Sequence, residues 1–344
     1  MTRLSSREIR LRKRPEGIPA EEDFELVEVS VDEPGPGEVL VRNTWMSVDP
    51  YMRGRMSDRR SYVPPFEVGR PLEGGCVGRV VRSRNSDLPE GTWVLGRLGW
   101  RELYLSDGEG LVPVDPSLAP LQAYLGVLGM PGFTAYVGLL KVGELHDGET
   151  VFVSSAAGAV GSVACQIARL RGCRVVGSTG SPEKVAWLER DAGVDAAFDY
   201  HAASDLAAEL RRHAPEGVDV AFDNVGGKQL EAALDVMNPF GRVVLCGAIS
   251  AYNATSPPAG PSNLFLAITK RLKLQGFIVS DHTATMGQFR TEMAAWIAAG
   301  ELTWRETVVD GLEAAPRALI GLFHGDNIGK MLVRLDPGGS SALA

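Results

Sequence analysis

The chain has 344 residues, 44% of them hydrophobic. That is long enough for two domains and apolar enough to give each a core, so wholesale disorder is excluded. A formal net charge of −8 argues against a general nucleic-acid or anionic-membrane binder, and no apolar run approaches the ~18–20 residues a bilayer-spanning helix needs.

From Arg3 to Arg14 the chain is basic with one acid, Glu8, but has no apolar signal core. The alternation Arg10-Leu11-Arg12 predicts an edge strand carrying its charges outward. Residues 1–130 hold short β-like runs at 39–41, 78–81 and 92–95, separated by turn clusters such as 32–37. Short strands with frequent turns predict a small barrel or sandwich. Its core is expected to take Trp45, Trp93 and Trp100, with Arg53 and Arg55 as solvated or domain-stabilising charges. After Pro131-Gly132 the pattern changes. Strand-like runs at 150–155, 174–178, 196–200, 218–223, 241–248 and 273–279 alternate with helical stretches such as 160–170 and 182–191. Six strands in βα alternation predict a parallel, doubly wound α/β sheet. The tail 336–344 is small and polar and is expected to fray. Cys76, Cys165, Cys173 and Cys246 include no CxxC pair, so neither a disulfide framework nor a structural zinc site is expected, and a reducing, cytoplasmic setting fits.

The strongest local signal is the strand 151–155 running into Ala156-x-Gly158-x-x-Gly161 and then into a helix. Small residues permit a tight turn, and backbone N–H groups from Gly158, Ala159, Val160 and Gly161 can approach a pyrophosphate at the helix N-terminus, where the dipole favours anions. The next strand ends in Ser178-Thr179-Gly180-Ser181, without the acid that accepts from the ribose of NAD, and Lys184 follows. Loss of the acid and gain of a cation suit a 2′-phosphate and hence NADPH; the plain alternative is an exposed first-turn lysine. The later strand ends carry Asp223-Asn224-Val225-Gly226-Gly227 and Cys246-Gly247-Ala248-Ile249-Ser250, small residues past which a cofactor can lie.

A catalytic zinc needs about three N, S or O protein ligands and an open position. His146, His201, His213, His282 and His324 do not pair with one another or with a Cys at ligand spacing, and Leu72 stands in Pro71-Leu72-Glu73-Gly74-Gly75 where zinc alcohol dehydrogenases carry the histidine of a Gly-His-Glu run. No metal is expected.

These residues resemble the leukotriene dehydrogenase/prostaglandin reductase family, which also holds plant alkenal double-bond reductases and bacterial curcumin reductases. The resemblance rests on Asp49-Pro-Tyr-Met-Arg-Gly-Arg-Met56, Leu128-Gly-Met-Pro-Gly-Phe-Thr-Ala-Tyr136, Ala156-Ala-Gly-Ala-Val-Gly161, Phe222-Asp-Asn-Val-Gly-Gly227, Cys246-Gly-Ala-Ile-Ser-Ala-Tyr-Asn253 and Gly325-Asp-Asn-Ile-Gly-Lys330. It implies a GroES-like, β-rich substrate domain at 1–130, completed by 311–344, a Rossmann NADPH-binding domain at 131–310, and a site in the cleft between them. It further implies that Lys184 and Tyr200 flank the adenosine end of NADPH. Asn224, Cys246, Gly247, Ala248, Ile249, Ser250, Tyr252, Phe277, Ile278, Val279 and Asn327 line the rest, and Tyr51 lies in the substrate pocket. Ser280-Asp281-His282 replaces an aromatic, basic run of the animal enzymes, which puts a prostaglandin-like substrate in doubt.

The implied reaction is reduction of the C=C bond of an enal or enone, with hydride from NADPH to the β-carbon. A donor beside the carbonyl oxygen stabilises charge that exists only in the transition state. Tyr252 is the candidate, since a free phenol with pKa of about 10 is an intact donor near neutrality; the alternative is that Tyr252 only packs on the ribose and orients the cofactor. Cys246 reads as a small buried residue rather than a nucleophile. A quinone reductase and a non-catalytic NADPH-binding sensor remain as rival readings, and a homodimer joined near residues 277–279 is expected from the family.

Overall fold

The computed structural model describes residues 3–335, so the 336–344 tail lies outside the described residues. The chain divides into two compact units. One takes the chain up to Leu125, then Glu306–Asn327 and the chain from Met331 onward; the other takes Gly126–Arg305 and Ile328–Lys330.

The first unit is β-rich. A mainly antiparallel sheet runs in the order Glu306–Asp310, Lys330–Arg334, Val39–Ser47, Cys76–Ser83, Trp93–Gly96 and Val112–Pro113, and Leu103–Ser106 pairs with Val39–Ser47. The strand expected around Arg10 is Leu4–Leu11, paired along its full length with Phe24–Val31. Ile9 and Leu11 alternate inward and join a core with Phe24, Val41, Met46, Met52 and Trp100. Alternation sets which face is buried because successive strand side chains point to opposite faces.

Two expectations in this unit change, for Trp45 and Trp93, and the alternatives for Arg53 are narrowed to the domain-stabilising one. Trp100 is fully buried and stacks on Phe24 with ring centroids 6.0 Å apart, whereas Trp45 and Trp93 are only partly buried against the small cluster of Val77, Leu125 and Leu332. Arg334 and Arg79 lie over those two rings, so one face of each indole is covered by a cation rather than by core. Arg53 is not solvated: it is 4% exposed. Its guanidinium donates to Gly17 O at 2.9 Å, Pro15 O at 3.2 Å and Ser57 Oγ at 3.1 Å, which stitches the 15–17 turn to the helix Met52–Arg55.

The second unit holds a six-stranded parallel sheet in the order Ala196–Asp199, Arg174–Thr179, Thr150–Val153, Val218–Asp223, Met237–Leu245, Lys273–Gly276. In chain order this is third, second, first, fourth, fifth, sixth, the Rossmann arrangement, and the order reverses between Thr150–Val153 and Val218–Asp223. The carboxyl ends of those strands at that reversal are where such sheets bind ligands. Helices Gly161–Leu170, Pro182–Arg190, Leu206–His213 and Gly227–Val236 connect the strands.

Two strands depart most from the expected bounds. The run expected at 241–248 spans Met237–Leu245, because Cys246 N and Gly247 N turn back to donate to Asp223 O at 2.9 and 3.1 Å. The run expected at 273–279 stops at Gly276, and Phe277 turns its ring towards Gly138, where an added Cβ would lie 3.0 Å from it. No helix among the described residues is long and apolar enough to cross a membrane.

Candidate cofactor and active site

The glycine turn follows a strand, Thr150–Val153, whose side chains are all buried. Ser155 takes a positive φ of 51° and brings the chain round; Gly158 N then donates to Ser155 O at 3.0 Å. At Gly161 an added Cβ would sit 2.3 Å from Ser155 O and 2.9 Å from Ala156 Cα, so only glycine fits where the helix Gly161–Leu170 begins. No side chain among the described residues caps that N-terminus. Its first-turn N–H groups and positive dipole end suit a pyrophosphate. From behind, Gly158 bridges Gly329, whose N–H donates to Ala157 O at 2.8 Å.

Beside this turn lie the residues expected at the adenosine end. Ser181 caps the helix Pro182–Arg190 by accepting from Lys184 N at 3.4 Å, which sets Lys184 in the first turn at the end of strand Arg174–Thr179. Tyr200 is half-buried, and its ring covers Gly180, where an added Cβ would meet Cε1 and Oη at 3.3 Å. Burial raises the Tyr200 phenol above its ordinary range, so it stays protonated. Ser178 is placed differently. Its side chain is buried and its hydroxyl donates to Gln229 Oε1 on the helix Gly227–Val236. The hydroxyl is thereby engaged inside the sheet–helix layer.

The end of strand Val218–Asp223 is organised by Asp223 and Ser154, a pairing that sequence reading did not assign. Asp223 is buried, and its carboxylate accepts from Ser154 Oγ at 2.8 Å, Gly226 N at 2.9 Å and Val225 N at 3.2 Å. Burial pushes this carboxyl up, and the three hydrogen bonds act against that rise. Ser154 Oγ in turn accepts from Asn224 N at 2.9 Å, and Asn224 Nδ2 donates to Ser154 O at 2.7 Å. Asn224 is thereby held to Ser154 through both its backbone and its side-chain amide. Gly226, at φ 74°, lets the helix start immediately. The only local signal for the Asp223–Ser154 pair was that both end apolar strands, and their adjacency depends on strand order.

The loop after Met237–Leu245 packs on this turn. Ile249 N donates to Asn224 O at 3.3 Å, and Ser250 reaches Val225 O through both N, at 3.2 Å, and Oγ, at 2.6 Å. Tyr252 folds back so that its Oη accepts from Ala248 N at 3.4 Å and would lie 3.3 Å from a Cβ on Gly247. The sequence-expected residues Asn224, Cys246, Gly247, Ala248, Ile249, Ser250 and Tyr252 therefore form one hydrogen-bonded surface. Burial pushes the Cys246 thiol up to about 12, so it is a neutral group there and no nucleophile. Phe277 meets His282 edge-on with centroids 6.3 Å apart, and Ile278 and Val279 lead into the 3-10 turn Val279–Thr285.

Asn327 and Tyr51 belong to the first unit. Tyr51 precedes the helix Met52–Arg55 and packs against the core; burial, and then the Asp49 carboxylate, hold its phenol well above the usual range. No group of three or more His, Cys, Asp or Glu side chains among the described residues is arranged to hold a metal ion. Small residues at the carboxyl ends of three neighbouring strands, an uncapped helix N-terminus and Lys184 together fit a dinucleotide.

Comparison with known proteins agrees. Residues 7–114 match a family model described as the N-terminal domain of oxidoreductase, and 159–299 match one described as zinc-binding dehydrogenase. The chain is 45% identical to NADPH-dependent curcumin reductase of Escherichia coli (strain K12), covering 94% of this chain and 95% of that protein. It is 42% identical to an NADP(+)-dependent 2-alkenal reductase of Nicotiana tabacum, covering 96% and 97%. The crystal structure of CurA from Vibrio vulnificus in complex with NADPH superposes with a TM-score of 0.91 at 43% identity, covering 96% of this chain and 99% of that one.

Proposed function

The chain belongs to the medium-chain dehydrogenase/reductase family that includes NADPH-dependent curcumin reductase, 2-alkenal reductase and prostaglandin reductase 1, and on that premise we propose that it reduces the C=C bond of α,β-unsaturated aldehydes and ketones with NADPH and without zinc. The observation that carries this reading is the surface formed by Asn224–Gly227 and Cys246–Tyr252 beside the glycine turn, with the Tyr252 phenol resting on Gly247 and Ala248.

NADPH, when bound, supplies the hydride. The protein's own groups do the rest. The turn 158–161 and the helix behind it hold the pyrophosphate, and Lys184 and Tyr200 hold the adenosine end. Ser178 supports that end from inside, through Gln229, rather than by touching the phosphate. Asn224, fixed by Ser154, serves the ribose and nicotinamide side, which Phe277, Ile278 and Val279 extend. The Tyr252 hydroxyl, set beside Ala248 N, is the donor to the substrate carbonyl oxygen as negative charge develops there. Tyr51, a protonated phenol, serves the substrate.

The first test follows NADPH oxidation with a medium-chain 2-alkenal, an aryl enone, curcumin, a simple quinone and a saturated aldehyde, with NADH and a chelator in parallel. Turnover with enal or enone, indifferent to chelator, is expected. Activity confined to the quinone would replace the reading with a quinone reductase, and tight NADPH binding without any turnover would leave a sensor.

Cofactor choice gives a sharper prediction. Lys184→Ala should raise KM for NADPH roughly 10- to 100-fold, the worth of a hydrogen bond between charged groups, while KM for NADH stays put. No change with either cofactor would show that Lys184 is an ordinary surface lysine, and equal loss with both would place its effect away from the 2′-phosphate.

The protein is further read as a cytoplasmic homodimer. Its four cysteines are unpaired, which suits a reducing compartment. Lys273–Gly276 is an edge strand of the parallel sheet, and Phe240, Leu264, Phe265 and Ile268 are exposed apolar side chains in the neighbouring segments. An edge of that kind needs covering. Sedimentation equilibrium should return twice the 36.8 kDa chain mass; a monomer at micromolar concentration would refute the dimer.

A further inference from the structure

Helix Gly161–Leu170 buries an amide among apolar neighbours: Gln166 is 1% exposed, between Cys165 and Ile167, which are wholly buried. Burying an unpaired amide is costly, so its partners indicate what it holds. Nε2 donates to Ser162 O at 3.0 Å, one turn back towards the glycine turn, and to Thr303 O at 2.8 Å; Oε1 accepts from Thr303 N at 2.8 Å. The side chain thus pairs with the Thr303 backbone through both a donor and an acceptor, as a neighbouring strand would. Thr303 is also tied through Oγ1 to Asp191 O at 3.2 Å, and Arg169 holds Glu301 O at 2.7 Å.

Two residues beyond Thr303, Arg305 O accepts from Lys330 N at 3.0 Å. Gly329 lies so close on that carbonyl that a Cβ there would stand 1.8 Å from it. Gly329 is the residue that bridges Gly158 and donates to Ala157 O. A continuous series of contacts therefore runs from Gln166 through Thr303 and Arg305 to Gly329, and from Gly329 to the back of the glycine turn.

We infer that Gln166 is a positioning residue for the cofactor: it touches no ligand and acts by fixing the 301–305 segment against which Gly329 holds Ala157 and Gly158. The inference rests on the reading that this turn carries NADPH.

The test uses the full chain with Gln166→Met, which keeps length and removes the hydrogen bonds of the amide, and Thr303→Val, which removes only the Thr303 hydroxyl bonds. NADPH affinity is measured by fluorescence titration, turnover at saturating NADPH, and amide exchange at residues 157–161. Gln166→Met should weaken NADPH binding about tenfold, the size of effect reached through a packed network without ligand contact. kcat at saturating cofactor and KM for the enone should hold, and the turn amides should exchange faster. Thr303→Val should shift NADPH affinity in the same direction by a smaller factor, and it carries the test if Gln166→Met does not fold. Unchanged NADPH affinity in the folded variants overturns the inference, whatever happens to melting temperature or exchange. Failure of the unaltered protein to bind NADPH would instead remove the cofactor reading itself.

Discussion

Gly161→Val is expected to weaken NADPH binding by on the order of 100-fold or more, because misplacement of a positioning group by about 1 Å already costs that much. The first β-carbon decides the outcome. It would lie 2.3 Å from Ser155 O and 2.9 Å from Ala156 Cα. Both are backbone atoms, so no rotamer change relieves the overlap. Ser155 already sits at φ 51°, a region unfavourable for a residue with a β-carbon, and has little freedom to retreat. The turn must move away from the helix, taking Gly158 and its bridge to Gly329 with it. Overpacking of this kind also costs roughly 1–3 kcal/mol of stability, so a melt should accompany the titration. Gly158→Ala is the graded comparison: its β-carbon would meet only Ser155 O and Oγ, at 3.2 and 3.3 Å, and a smaller loss is expected. If the Gly161 variant, still folded, bound NADPH within threefold of the unaltered protein, the pyrophosphate would have to lie elsewhere.

Tyr252→Phe should lower kcat for enone reduction about 100- to 1,000-fold, the usual range for removing one donor to a developing oxyanion, with KM for NADPH changed little. The phenylalanine ring keeps the shape and the packing, so a cofactor-orienting role survives in the variant while the donor is lost. The contact from Ala248 N to the phenol oxygen, at 3.4 Å, is long, and its loss should not unfold a loop held independently by Cys246 N, Gly247 N, Ile249 N and Ser250 N. The split between kcat and KM is decisive. A raised KM for NADPH with kcat intact would make Tyr252 a ribose-packing residue, and the proton would then have to come from another group or from water.

Much of the second unit is legible in the sequence, because what specifies it is local. Apolar runs alternating with helical stretches name a parallel βα array, since parallel strands are covered on both faces and read as near-continuous apolar segments. Ala156-x-Gly158-x-x-Gly161 is a statement about backbone room, and the room is as narrow as the spacing implied. The run 246–252 was also readable, as small residues ending a strand. Edges were less secure. Strand Met237–Leu245 stops short of the expected end because Asp223, on the adjacent strand, draws Cys246 and Gly247 aside, and no periodicity within 241–248 carries that.

By itself, then, the sequence determined the class of fold, the strand that leads into the glycine turn and the residue types presented at the strand ends. Only the tertiary structure decided what those side chains do. Ser178, read as a cofactor contact, donates to Gln229, 51 positions away. Arg53, read as a solvated or domain-stabilising charge, holds the backbone of residues 15–17. Asp223 meets Ser154 across 69 positions, and Gln166 meets Thr303 across 137. The physical reason is common to all four. Periodicity and glycine spacing report each residue's own backbone and the face it occupies, whereas a hydrogen bond between distant segments depends on which strands and helices become neighbours, and that order is settled when the whole sheet packs.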